Sequence, residues 1–143
     1  MDHLRLELTP ARFGSRQTSN VNILIDETPL ADLARVVELP HARAERNPKL
    51  AGDYSPMIIE DFRDKNGLLG DPACSWFEDG DTVLMGCPCG EWGCWPLTVR
   101  IDVDPDRVTW HDFRNGHRDW DLRALGPFVF DRSEYEAAIS VLG

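Results

Sequence analysis

The sequence predicts an α+β fold: an antiparallel β-sheet with a short helix in its N-terminal half and a second helix at its C-terminal end. Three observations predict it. Apolar residues alternate over 97–103 and again over 108–113, the period of strands with one buried face. Leu30, Leu33, Ala34 and Val37, and later Tyr135, Ala138, Ile139 and Leu142, repeat instead at three and four residues, the period of helices with one apolar stripe. Finally, 143 residues of which 42% are hydrophobic can fill one core. No linker, internal repeat or low-complexity tract divides them, so residues 1–143 are expected to form a single compact domain.

The elements follow in order. Leu4, Leu6 and Leu8 alternate with Arg5 and Glu7, a strand that Pro10 is expected to end. Residues 15–20 are polar and aperiodic and read as a loop or mobile arm. Val21, Ile23 and Ile25 predict a second strand, and 26–29 a turn. A helix is expected from there to residue 39. Thr28 is placed to cap it, Pro29 suits its first position, Asp32 complements its dipole and Pro40 stops it. Residues 41–56 read as a long connection with room for one helical turn, and 57–59 as a short strand. Gly67, Gly70, Pro72 and Gly80 make 61–81 a surface loop, from which Trp76 and Phe77 are expected to fold back onto the core. Residues 82–85 predict a strand beside the hairpin 97–113, whose connection is Asp104, Pro105 and Asp106. Asn115 and Gly116 mark a turn and 128–130 a further strand. Asp131 with Glu134 three residues later caps the last helix.

Charge narrows the partners. A net charge of −10 opposes broad contact with phosphate backbones or anionic lipid, so nucleic acid is disfavoured and a protein partner is easier to accommodate. No stretch approaches the roughly 18 apolar residues a membrane crossing needs. Four cysteines are too few for a chain of this size to depend on disulfides, and no basic segment followed by an apolar run opens the chain. A reducing, cytoplasmic location is therefore expected.

The densest chemistry lies in the segment 86–96, which places Cys87, Cys89 and Cys94 in one glycine-rich connection between two strands. Zinc is the metal such thiols suit, with Cys74, His111 or His117 as the fourth ligand; the spacing lacks the paired Cys-x-x-Cys of a specific zinc site. Thiols packed as small hydrophobes between Trp92 and Trp95 are the simplest account. A redox or nucleophilic role is the third, without a Cys-x-x-Cys or an adjacent Cys–His pair to mark it. Asp102, Asp104 and Asp106 do not follow a calcium-loop pattern and read as a solvated rim, and Arg35, Arg43, Arg46 and Lys49 as ordinary surface charge.

The run Gly86, Cys87, Pro88, Cys89, Gly90, Glu91, Trp92, Gly93, Cys94, Trp95, Pro96, Leu97, followed by 108–113 and by 125–138, resembles a family of small uncharacterised bacterial, actinobacterial proteins. The likeness includes 25–39 and extends over most of the chain. Cys89 and Cys94 lie in its Cys-Gly and Gly-Cys-Trp-Pro-Leu pieces, whereas Cys87 matches less well. The resemblance implies a bacterial cytoplasmic protein and carries no catalytic residue across. The resulting expectation is a non-enzymatic protein-interaction domain with an optional structural metal, the alternative being a small cysteine-dependent enzyme or redox protein.

Overall fold

A computed structural model describes residues 1–143 and bears out the α+β architecture: an eight-stranded antiparallel sheet and two α-helices. The strands are β1 (Leu4–Phe13), β2 (Arg16–Ile25), β3 (Thr28–Pro29), β4 (Ser55–Ile58), β5 (Thr82–Gly86), β6 (Leu97–Val103), β7 (Arg107–Asn115) and β8 (Phe128–Asp131). The helices are α1 (Leu30–Ala44) and α2 (Arg132–Ile139). The sheet runs β1-β2-β4-β5-β6-β7-β8, with β3 as a short addition to β2. Its two ends meet. Asp2 forms a parallel bridge with Phe130, its amide donating to the Val129 carbonyl at 2.8 Å, while its carboxylate accepts from the Val129 amide at 2.9 Å. The segment ahead of β1 thus ties one end of the sheet to the other, and the molecule has one continuous core. No helix is long and apolar enough to cross a membrane.

The β6–β7 hairpin forms as its two apolar ladders predict, with Ile101 opposite Trp110 and Val103 opposite Val108. A bulge between Thr98 and Arg100 shifts the register once. Ile101 is buried, so Ile101→Asn is expected to destabilise the protein by about 1–3 kcal/mol in a denaturant titration, through lost apolar transfer and an unpaired amide. A change near zero would place that side chain outside the core. The helix cap at Asp131 is also realised, its carboxylate accepting from the Glu134 amide at 3.0 Å. Tyr135, Ile139 and Leu142 then turn inward.

Four expectations fail for physical reasons. Pro10 does not end β1, which pairs with β2 through to Phe13 opposite Arg16. Pro10 is tolerated because β1 is an edge of the sheet and needs no amide there. The polar stretch 15–20 is consequently mostly strand, since main-chain pairing asks for no apolar side chain. Thr28 does not cap α1; Thr28 and Pro29 pair with Ile25 and Leu24 across a turn in which Asp26 and Glu27 both take positive φ, and Pro29 takes the N-cap position. Pro40 does not stop α1 either. It lies on the exposed side, where the carbonyl deprived of its amide can be hydrated, and the helix runs on to Ala44. Residues 45–81 hold three short 3-10 turns and β4 between loops, as a long surface connection would.

Candidate functional site

The thiol loop is delivered by β5, whose five residues are all buried. Gly86 ends that strand directly against Trp92: a Cβ there would stand 2.4 Å from the Trp92 Cβ, so the loop can fold back at its root because this residue has none. Gly90 holds φ at +98° and donates its amide to the Cys87 carbonyl at 3.2 Å, which closes the tip. A 3-10 turn over Trp92–Cys94 returns the chain to β6, with the Cys94 amide on the Glu91 carbonyl at 3.1 Å.

Within this loop Cys87 and Cys89 are in contact. The Cys89 amide donates to Cys87 Sγ at 3.4 Å, and the Cys89 thiol reaches the Glu91 carbonyl at 3.8 Å. The neighbouring Cys87 side chain foremost, and the Glu91 backbone next, hold the Cys89 thiol below the usual range. The Cys94 thiol is pushed up by the Cys89 side chain foremost, and then by burial and the charge of Cys89. At Cys87 the Cys89 amide pulls downward, but the Cys89 side chain, burial and nearby charge together raise it. Cys89 and Cys94 are exposed, and Cys87 is half-buried.

Cys74 is elsewhere. Its thiol donates to the Asp61 carbonyl at 3.5 Å, and burial, then the Asp61 charge, push it up. His111 lies on β7 with Nε2 2.7 Å from Asp102 Oδ2 on the facing strand. His117 does reach the loop, yet its Nε2 is 2.8 Å from the Gly93 carbonyl. A carbonyl only accepts, so that nitrogen carries a proton and has no lone pair to offer a metal. Cys74, Cys87, Cys89 and Cys94, with His111 or His117 as the alternative fourth ligand, are thus not brought together as one ligand set. No three His, Cys, Asp or Glu side chains form a group able to hold a metal ion. The thiols do not serve as buried packing between Trp92 and Trp95 either, since two of the three face solvent.

Behind the loop lies a polar relay with a fully buried carboxylate at its inner end. Glu38 on α1 accepts from the Gly52 amide at 2.8 Å and from the Tyr54 hydroxyl. Tyr54 in turn accepts from Asn115 Nδ2 at 3.1 Å, and the Asn115 carbonyl oxygen takes the His117 amide at 2.8 Å. His117 closes the chain on Gly93. Burial raises the Glu38 carboxyl above its usual range against the pull of Tyr54 and Gly52, and raises Tyr54 as well. Aromatic rings fill the space alongside: Trp76 lies 4.8 Å from the His117 ring and donates its indole proton to the Gly116 carbonyl at 3.0 Å, while Trp95 meets Trp120 edge-on at 5.9 Å. Gly116 admits this packing because a Cβ there would lie 2.5 Å from Pro96 and 2.8 Å from the Trp76 nitrogen.

On its outer side the loop edges a groove of about 840 Å³. The opposite wall is the tip of the β1–β2 hairpin, with Arg12, Phe13 and Gly14, and the floor is β4. None of residues 10–20 is buried, and Phe13 is 59% exposed. Sequence reasoning missed this wall because it assigned 15–20 to a loop. It missed the relay because a glutamate reads as a surface residue, although Glu38 falls four residues after Ala34 and four before Ala42, on the buried stripe. No protein-family model, curated protein or solved structure matches this chain.

Proposed function

We propose that this chain is a protein-binding domain and that its partner seats in the groove between the hairpin tip and the thiol loop. The observation that carries this is the hairpin arm itself. Beyond Asn20, where β2 last pairs with β4 on its way outward, two strands continue to the tip with no buried residue and an exposed phenylalanine at the end. A two-stranded ribbon without a core of its own is marginal in water, and a partner seated against it would supply the missing cover. Complete burial of Phe13 would contribute about 1.5–3 kcal/mol to such an interface. The acidic balance of the chain favours a protein over a nucleic acid as that partner. Four free thiols suit a reducing, cytoplasmic setting.

The test is reciprocal affinity capture with the whole chain, at low and high salt, followed by titration of the recovered protein. Phe13→Asp is expected to weaken saturable binding by about tenfold or more, the equivalent of 1.4 kcal/mol. Val36→Asp, at a position 74% exposed on α1 and outside the groove, is expected to leave it unchanged. Equal affinity for wild type and Phe13→Asp would overturn the assignment of the groove. Turnover of a small molecule by the purified protein would overturn the binding-domain reading as a whole.

A further inference from the structure

A second cleft, of about 310 Å³, lies between the β1–β2 hairpin and the start of α1, and Pro56 is the one lining residue it shares with the groove. Strand register builds it. Glu7 stands opposite Asn22 and Arg5 opposite Leu24, and Thr9 follows Glu7 by two residues, so these side chains share one face of the ribbon. Pro29 pairs with Leu24, which starts α1 beside β2 and brings Leu30 and Ala31 into the lining. With Leu24, Pro56 and Met85 they form the apolar part of the cleft. Its volume is at the small end of the range for small-molecule pockets, about 300–1,000 Å³.

Glu7, Thr9 and Asn22 make its polar end, and what they offer is acceptors. Asn22 Nδ2 gives its protons to the Glu7 main-chain carbonyl at 3.0 Å and to Thr9 Oγ1 at 2.9 Å, which leaves Asn22 Oδ1 without a protein partner. One Glu7 carboxylate oxygen accepts from Arg5 Nη1 at 2.9 Å, but Arg5 turns Nε and Nη2 to Glu27, the latter at 2.8 Å. One guanidinium thus serves two carboxylates, and this corner keeps a surplus negative charge. No Lys, Arg or His lines the cleft, and the hydroxyl of Tyr54, another lining residue, is donated to Glu38. From this arrangement we propose that the cleft binds a small apolar amine in its ammonium form, with the apolar body between Leu24, Leu30 and Met85 and the ammonium at Glu7 and Asn22 Oδ1. An ammonium carries three protons to donate and no lone pair, which matches an end built of acceptors. A carboxylate ligand would meet the Glu7 charge with no cation in the lining to offset it, and a neutral ligand would leave that charge unmatched. The site is separate from the protein-binding groove and does not depend on it.

The test titrates the full-length, isotopically labelled protein with phenethylamine and follows the backbone amide resonances. Saturable shifts are expected at Asn22, Leu24 and Ala31, with Phe13 and Cys89 at the groove unmoved. Phenethyl alcohol, the neutral isostere, should bind about three- to fivefold more weakly, which is the upper range for an ion pair to a carboxylate as exposed as Glu7. Ethylamine, which has the charge without the apolar body, should not saturate. Glu7→Gln should abolish the preference for the amine over the alcohol. Arg5→Gln leaves Glu7 unshared and should tighten the amine by about two- to threefold, a gain that a damaged fold would not produce. Absence of saturation at millimolar phenethylamine would overturn the proposal, as would shifts centred on the groove, equal saturation by ethylamine, tighter binding of hydrocinnamate than of the amine, or an amine preference that survives Glu7→Gln.

Discussion

Glu38→Ala is expected to destabilise the protein by about 3–5 kcal/mol, because it opens a cavity and strands two donors, the Gly52 amide and the Tyr54 hydroxyl, away from water. Chemical denaturation monitored by tryptophan fluorescence would measure it. A loss under about 1 kcal/mol would mean that water reaches the site and that the relay is not buried. Glu38→Gln isolates the charge. Because burial raises the carboxyl, the folded protein holds this proton more tightly than the unfolded chain does. Its contribution is therefore complete below about pH 4.5, the ordinary value for glutamate, and is lost as pH rises through the folded-state value. Several other carboxylates, Asp81 and Asp121 among them, are held low and act with the opposite sign, so the informative quantity is the difference between wild type and variant. Thermal melts from acidic to neutral pH should show the wild type losing ground to Glu38→Gln as pH rises. Parallel curves would sink the assignment of a raised carboxyl.

The second large effect is expected at Trp110, which no solvent touches. Its indole proton goes to the Tyr135 hydroxyl at 3.0 Å, and Tyr135 donates onward to the Leu68 carbonyl. Phe130 and Tyr135 meet its ring edge-on at 5.3 Å and 6.2 Å. One side chain thus joins β7, β8, α2 and the loop at Leu68. Trp110→Ala should cost about 3–5 kcal/mol in the same titration. Trp110→Phe should cost less, since it keeps most of the apolar volume and Tyr135 keeps Leu68 as a partner. Equal losses for the two variants would assign the effect to the hydrogen bond and not to the packing.

The contrast between these two positions shows where sequence is informative. Trp110 falls on an alternating apolar ladder, so its burial and the hairpin around it follow from local periodicity, as does α2 from the Asp131 cap and the stripe at Tyr135, Ile139 and Leu142. Glu38 sits on a helical stripe just as regular, but whether a carboxylate is tolerated there depends on Gly52, Tyr54 and Asn115, which reach it from other parts of the chain. The hairpin tip was illegible for a related reason. Strands 10–13 and 16–19 are held by main-chain pairing with each other, which polar side chains permit but do not announce. At the site, Cys87, Cys89 and Cys94 were legible as a group because one short loop carries them. The position of Cys74 was not, since a distant thiol is placed by the packing of the segment that bears it, here against Asp61.

The seam that joins Asp2 to Val129 and Phe130 bears on how the protein is made. These partners are separated by 127 positions, nearly the whole polypeptide, so a chain emerging from the ribosome cannot form them until β8 has been synthesised. Until then Asp2 has no partner, although β1 and β2 can already pair as a hairpin with Phe13 exposed at its tip. A contact of such long range adds to the loop-closure entropy that must be overcome late in folding, and it favours slow, all-or-none completion. An incomplete chain accordingly lacks this tie between the ends of its sheet, whereas the outer flank of β1 stays an open edge before and after the tie forms.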